Sequence, residues 1–261
     1  MEILGYIGAL LVGIILGLIG GGGSILTVPI FVYILGISPV ISAAYSLFVV
    51  GSVSFVGALR NAQKGMVDFK TGIIFSFPAF ISVYLTRKFI VPAIPDELFK
   101  LGDFVVTKNV GLMVFFAVVM ILASYSMIKG RKENPEKQKA NFYYLRIVIQ
   151  GLGVGLVSGL VGAGGGFLII PSLVLLAKLP IKKAVATSLM IIAMNSLIGF
   201  LGDVQNIEID WIFLFSFTSI AIVGIFIGMY LNKFIDGKKL KKGFGWFVLA
   251  MGIYIVLKEI L

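Results

Sequence analysis

Two runs of glycine carry the chemistry this chain is equipped to do. The first lies in GLIGGGGSILTVP, residues 17–29, and the second in GLVGAGGGFLIIP, residues 159–171. Gly20, Gly21, Gly22, Gly23 and Ser24 form the centre of one; Gly162, Gly164, Gly165 and Gly166 form the centre of the other. Glycine admits backbone conformations and close approaches that a Cβ forbids. A helix starting behind such a run presents unpaired N–H groups and a partial positive charge. The combination is an anion site made of backbone, with no need of a buried Lys or Arg. Helices are expected to start near Ser24 and Gly166. Pro29 and Pro171 then act as structural kinks, each removing one hydrogen bond and freeing the carbonyl of Ile25 or Phe167.

Side-chain donors follow in the next segment of each copy: Ser46 and Ser54 in the first, Thr187, Ser188, Asn195 and Ser196 in the second. Thr187, Ser188 and Asn195 fall near helical periods and can share a face. Asn195 stands out, because a buried amide in lipid is costly without a partner or a task. The plainer role for these groups is an interhelical hydrogen bond. The substrate-binding set is therefore Gly20–Ser24, Gly162, Gly164–Gly166, Ser46, Thr187, Ser188 and Asn195. No catalytic residue, metal or cofactor is expected. The chain has no Cys and no His, which removes disulfides, thiolate chemistry, His-ligated metals and histidine relays. A nucleotide-binding reading of GAGGGF fails for want of the βαβ setting and the following acid.

The elements that must position these residues belong to a membrane. The chain is 59% hydrophobic and 13% charged, with mean hydropathy +1.08; soluble proteins carry about 25% charged residues. Long apolar stretches recur at 41–59, 72–85, 110–128, 184–201, 212–231 and 243–257. Residues 1–19 are apolar without a basic leader, which argues against a cleaved signal peptide. The net charge of +10 sits in short loops between the stretches, a positive-inside pattern and not a nucleic-acid surface. No Lys, Arg, Asp or Glu falls in the middle of a stretch. Arg60, Arg87 and Arg146 lie at stretch ends, where they are expected to anchor to lipid headgroups.

A shift of 142 positions aligns residues 17–68 with 159–210 without a gap, and 16 of the 52 pairs are identical. The matches include Ser46/Ser188, Ser54/Ser196, Gly57/Gly199, Gln63/Gln205 and Asp68/Asp210. Such a repeat means two copies of one unit. Each copy has a glycine-interrupted segment and three conventional spans. The interrupted segment should be a hairpin. Residues 24–35 give about 18 Å of helix, too short for a core of about 30 Å.

Loop charges agree. If the interrupted segment returns to its starting side, Lys178, Lys182, Lys183 and the run 233–242 join the basic linker on one face. The loop 203–210, which has no Lys or Arg, then falls on the other. A hairpin plus three spans is an odd count, so the second copy is inverted. The loop 87–108, with four basic residues on the less basic face, fits this scheme least well. The expected fold is all-α integral membrane, with two inverted-topology repeats. Each is a Gly-broken helical hairpin plus three transmembrane helices, up to ten segments in all. Residues 1–128 form the first repeat, 129–143 a basic cytoplasmic linker and 144–261 the second repeat. Asp68 and Asp210 are expected to cap helices. The pairs Gly13/Gly17, Gly151/Gly155/Gly159 and Gly224/Gly228 are expected to serve close helix packing.

The motifs GLIGGGGSILTVP and GLVGAGGGFLIIP, each followed by a span holding SAAYSLFVV or KAVATSLMI, resemble those of the TauE/SafE family of sulfite and organosulfonate exporters. The resemblance covers essentially the whole chain. It implies a multi-pass transporter in the cell (plasma or inner) membrane, exporting a small sulfur-containing anion such as sulfite, thiosulfate or an organosulfonate. Alternating access would occur at a midplane site between the two hairpin tips. The partners implied are a small anionic substrate and the lipid bilayer, with no nucleic acid; a coupling proton or cation and a homo-oligomer stay open. A passive anion channel, or a transporter of another small organic anion, is the alternative. A membrane enzyme or assembly subunit is disfavoured by the missing acid, His and Cys constellation. Ala163 in the second run and Gly166 in place of Ser24 make the two tips chemically unequal.

Overall fold

A computed structural model describes residues 2–101, 104–129, 140–175, 179–235 and 237–260. Most of the linker 129–143, and Lys178, lie outside the described residues. The described chain is essentially all-α, and the helices form two sets of five. The first set is α1 (Glu2–Ile19), α2 (21–34), α3 (Pro39–Gln63), α4 (Phe69–Ala93) and α5 (Lys108–Lys129). The second is α6 (Ala140–Val161), α7 (Gly166–Leu175), α8 (Ile181–Asp203), α9 (Trp211–Leu231) and α10 (Gly237–Ile260). Among the described residues, five helices, α3, α4, α5, α8 and α9, are long and apolar enough to cross a membrane on their own. Large apolar side chains such as Phe77, Leu122, Ile149 and Ile212 point outward from the helical body. A lipid solvent accepts such a surface, and water does not.

Close glycine contacts fix the directions of the long helices. Gly51 packs on Leu197, Gly57 on Leu189, and Gly199 on Leu47. Helices α3 and α8 are therefore antiparallel and cross near residues 53 and 195, equivalent positions of the two repeats. Gly151 meets Phe75, Gly155 meets Ala79, and Gly159 meets Thr86, so α6 runs parallel to α4. Gly13 meets Ala221 and Gly17 meets Gly228, so α1 runs parallel to α9 in the same way. Gly245 lies on Met127 and Gly252 on Ile121, which makes α5 and α10 antiparallel. These directions relate the repeats by an internal two-fold axis lying across the helices. The second repeat is inverted. The glycines assigned to packing are the ones at these crossings: any side chain on Gly13, Gly155 or Gly228 would collide with a backbone carbonyl of the neighbouring helix.

Two hydrogen bonds mark the axis. The Asp68 N–H donates to Thr187 Oγ1 at 2.9 Å, and the Asp210 N–H donates to the Tyr45 hydroxyl at 2.8 Å. Asp68/Asp210 and Tyr45/Thr187 are both pairs under the 142-residue shift. Each aspartate also caps its helix, accepting from Thr71 N at 2.9 Å or from Phe213 N at 3.0 Å.

The molecule has two polar ends. At one, the basic end, lie Arg60, Lys64, Lys70, Lys182, Lys183 and Lys233, together with the end of α5 and the start of α6. At the other lie the start of α3, the loop 203–210 and an antiparallel β-hairpin, β1 (Glu97–Leu101) with β2 (Phe104–Thr107). The sequence showed no sign of this hairpin. The structure also revises the troublesome loop: α4 continues to Ala93, so Arg87 and Lys88 belong to a helix, Lys108 opens α5, and of the four only Lys100 stays in the connection.

Candidate functional site

Both interrupted segments are hairpins that stop inside the molecule. Helix α1 leaves the end opposite the basic one and breaks at Gly20, and α2 returns, delivering α3 to the end where α1 began. Helices α6 and α7 do the same from the basic end. The first return helix starts as a 3₁₀ turn, Gly21–Leu26, three residues ahead of the expected Ser24. Past Pro29 it widens into a π turn, Ile30–Ile34, and does not stop. The second starts at Gly166, as expected, and its backbone runs through Pro171.

The tips differ in backbone as well as in sequence. The first has one left-handed residue, Gly20 (φ 72°). The second has three, Gly162 (74°), Gly164 (64°) and Gly165 (66°). Left-handed backbone costs an L-residue about 1–2 kcal/mol, which explains glycine at these four positions. The tips touch where Gly21 lies against Gly166, so closely that neither would admit a Cβ. Each tip crosses slightly past this point. Gly20 reaches Val185 and Ser188 on the basic side of the α3–α8 crossing, and Gly162 reaches Ala43 on the other side. Val185 and Ala43 are equivalent positions, so the two tips occupy one setting twice.

Polar side chains surround the tips. A Cβ on Gly164 would lie 2.7 Å from Ser196 Oγ, one on Gly20 3.3 Å from Ser188 Oγ, and one on Gly165 3.5 Å from Ser158 Oγ. The hydroxyls of Thr27, Ser46, Ser54, Ser158 and Ser196 are buried without a hydrogen-bond partner, and so are both amide atoms of Asn195. Asn195 is fully buried and stands at the crossing point of α3 and α8. Stranding a buried polar group costs about 1–3 kcal/mol. Ser158 and Ser196 lie beside the tips and Asn195 at the crossing, which makes this the candidate site.

Some expected ligand groups have structural partners. Ser24 Oγ donates to the Gly21 carbonyl at 2.8 Å, within its own tip. Ser188 Oγ donates to the Val185 carbonyl at 2.8 Å. Thr187 accepts from Asp68 N and faces α4 beside Gly72. Sequence reasoning missed Thr27 and Ser158. Ser158 sits among small residues at GxxxG spacing, where a serine reads as packing.

One expectation is overturned. Arg87 is not a lipid anchor. It is fully buried, and its Nε donates to Asp203 Oδ2 at 2.6 Å. The reason is geometric: the parallel packing of α4 and α8 sets Gly202 against the Arg87 stem. That turns the guanidinium inward, where a carboxylate must meet it. An ion pair therefore lies within the helical body, although away from its middle. Arg60 is exposed and lies over the Phe226 ring at 5.3 Å.

Comparison with known proteins agrees with this architecture. The profile of the family described as Sulfite exporter TauE/SafE matches residues 6–255. A "Probable membrane transporter protein" of Xylella fastidiosa (strain 9a5c) is 28% identical over 253 residues, covering 94% of this chain and 91% of the relative. The "Probable membrane transporter protein YunE" of Bacillus subtilis (strain 168) is 27% identical over 277 residues, covering 95% and 92%. A "Probable membrane transporter protein" from Haemophilus influenzae is 24% identical over 262 residues, covering 95% of each chain. No solved structure matches the chain. With its glycine-tipped inverted hairpins and a family match across nearly its whole length, the chain belongs to the TauE/SafE family and is a membrane transporter.

Proposed function

We propose that this transporter exports a small sulfur-containing anion, such as sulfite, thiosulfate or an organosulfonate, by alternating access at the centre of the molecule. The observation that carries the reading is Asn195: a fully buried amide with neither atom partnered, at the crossing of two inverted repeats and level with two glycine tips. An oxyanion there would accept from the Asn195 amide, from the Ser54 and Ser196 hydroxyls and from N–H groups at the starts of α2 and α7. Among the charged groups described, none faces this centre, so neutral donors would hold the charge. Sulfonates and hydrogensulfite suit such donors, because their single charge is spread over several oxygens. The word sulfite in the family description supports the same substrate class.

Positive-inside bias supports placing the basic end in the cytoplasm of a cell membrane. The linker 129–143 would then be cytoplasmic, joining repeat units 1–128 and 144–261. Lys233 is exposed at the basic end. A thiol reagent that cannot cross the membrane should label Lys233→Cys only from the cytoplasm.

The transport test uses the purified protein in liposomes. Flux of sulfite, thiosulfate and sulfoacetate is measured against protein-free vesicles. Saturable flux of at least one of them, accelerated by the same anion on the opposite side, is expected. No flux of any small anion above protein-free vesicles contradicts the proposal, and a non-saturable ohmic current identifies a channel.

A further inference from the structure

Each glycine tip is held from behind by one side chain of the other repeat. Behind the second tip, Arg87 Nη1 donates to the Gly159 carbonyl at 3.3 Å, near the end of α6. Behind the first, Asn232 Nδ2 donates to the Leu18 carbonyl, near the end of α1. Arg87 comes from the far end of α4 and Asn232 from the far end of α9, equivalent helices of the two repeats. The two holds differ in chemistry. Arg87 also pairs with Asp203 on α8 at 2.6 Å, and its Nη2 donates to the Val40 carbonyl at 3.3 Å on α3. One guanidinium thus ties together four helices, two from each repeat. It does so from a π turn of α4, Thr86–Ile90, a wide turn that recurs at functional sites. On the basic side the shift by 142 residues puts Met229 in the place of Arg87 and Asn61 in that of Asp203. The Asn61 amide donates within its own helix, to the Gly57 carbonyl. Asn232 stands there as a single neutral hold, partly buried.

We infer that Arg87 and Asn232 are positioning residues for the two tips, and that the Arg87–Asp203 pair latches the end opposite the basic one. Breaking one partner of a buried ion pair costs several times more than losing one neutral hydrogen bond. The first tip is therefore the looser of the two, and the unloaded transporter spends more of its time open toward the basic end. The inference rests on the alternating-access reading above.

The chain has no native cysteine, so single reporters can be read without background. Ser46→Cys lies between the crossing and the latched end, and Ser188→Cys lies at the equivalent place toward the basic end. Each is treated with an impermeant maleimide from either face. The latch is removed in two ways: Arg87→Met with Asp203→Leu, which leaves no orphan charge, and Asp203→Asn, which keeps the shape. Both should raise labelling of Ser46→Cys from the latched face about tenfold, the change given by a shift of about 1.4 kcal/mol between states. Both should lower labelling of Ser188→Cys from the basic face. Asn232→Ala should act in the opposite sense on both reporters, a reversal that general loosening of the fold does not produce. If each parent reporter labels from its own face alone and the latch variants leave the rates unchanged, the latch inference is overturned while alternating access stands. If each parent reporter labels equally from both faces, the path is open throughout and the alternating-access reading itself fails.

Discussion

At the scale of single residues, Asn195 separates a site from a core. A buried Asn whose amide serves nothing should be improved by an apolar replacement of similar size, because the cost of about 1–3 kcal/mol for an unpaired polar group disappears. Asn195→Leu is therefore expected to melt at the same temperature as the parent, or higher, in detergent. Its transport should nevertheless fall at least about tenfold, as loss of a donor to an anion would require. Unchanged transport in that variant would return Asn195 to the packing of α8. Part of this was legible in the sequence. Asn195 is conspicuous because lipid punishes an idle amide, and Asp68 and Asp210 announce themselves as caps by recurring just ahead of a span. Arg87 was not legible. An arginine at the end of an apolar run looks like a snorkelling anchor, and its partner lies 116 residues away. Only the packing of α4 on α8 shows that the two meet. The structural partner of Thr187 was hidden for a related reason: it is the Asp68 backbone, which has no residue signature.

At the scale of the helices, glycine does two jobs that look alike in sequence. In the tips it permits left-handed backbone and the Gly21–Gly166 contact. Along α1, α6 and α9 it lets helix backbones touch. Helix α6 provides an internal contrast. Gly155 is pressed against Ala79 and Ser82, while Gly153 has nothing near it. Gly155→Leu should destabilise the protein by at least the roughly 1–3 kcal/mol typical of overpacking, read as a lower melting temperature and early aggregation. Gly153→Ala should leave stability unchanged or raise it, since alanine is favoured over glycine by about 1 kcal/mol in a helix. Equal effects of the two substitutions would contradict the α4–α6 packing. The hairpins themselves were legible, because the short arm after each glycine run cannot span a bilayer and loop charge then dictates the turn back. The pairing of β1 with β2 was not, since these short, mixed-polarity strands carry no clear alternation beside a long apolar helix.

At the scale of the whole molecule, the inverted repeat explains how one duplicated unit builds a central site. The odd number of crossings turns the second copy over, α3 and α8 cross as antiparallel partners, and the two tips approach one depth from opposite ends. Exact symmetry is broken at the tips, the crossing and one end: Ala163 and Gly166 against Gly21 and Ser24, Asn195 against Val53, and the Arg87–Asp203 pair against Met229 and Asn61. The duplication and the inversion were readable from the 142-residue shift and the loop charges. The asymmetry was readable only as substitutions, without the contacts that give them meaning. Central to the proposal is an anion bound at the crossing and held by neutral donors. A cryo-EM structure of the protein with bound sulfite tests that most directly. The anion is expected about 2.7–3.2 Å from the Asn195 amide, beside the glycine tips. Density against Arg87 in place of the Asp203 carboxylate, with none near Asn195, would contradict it.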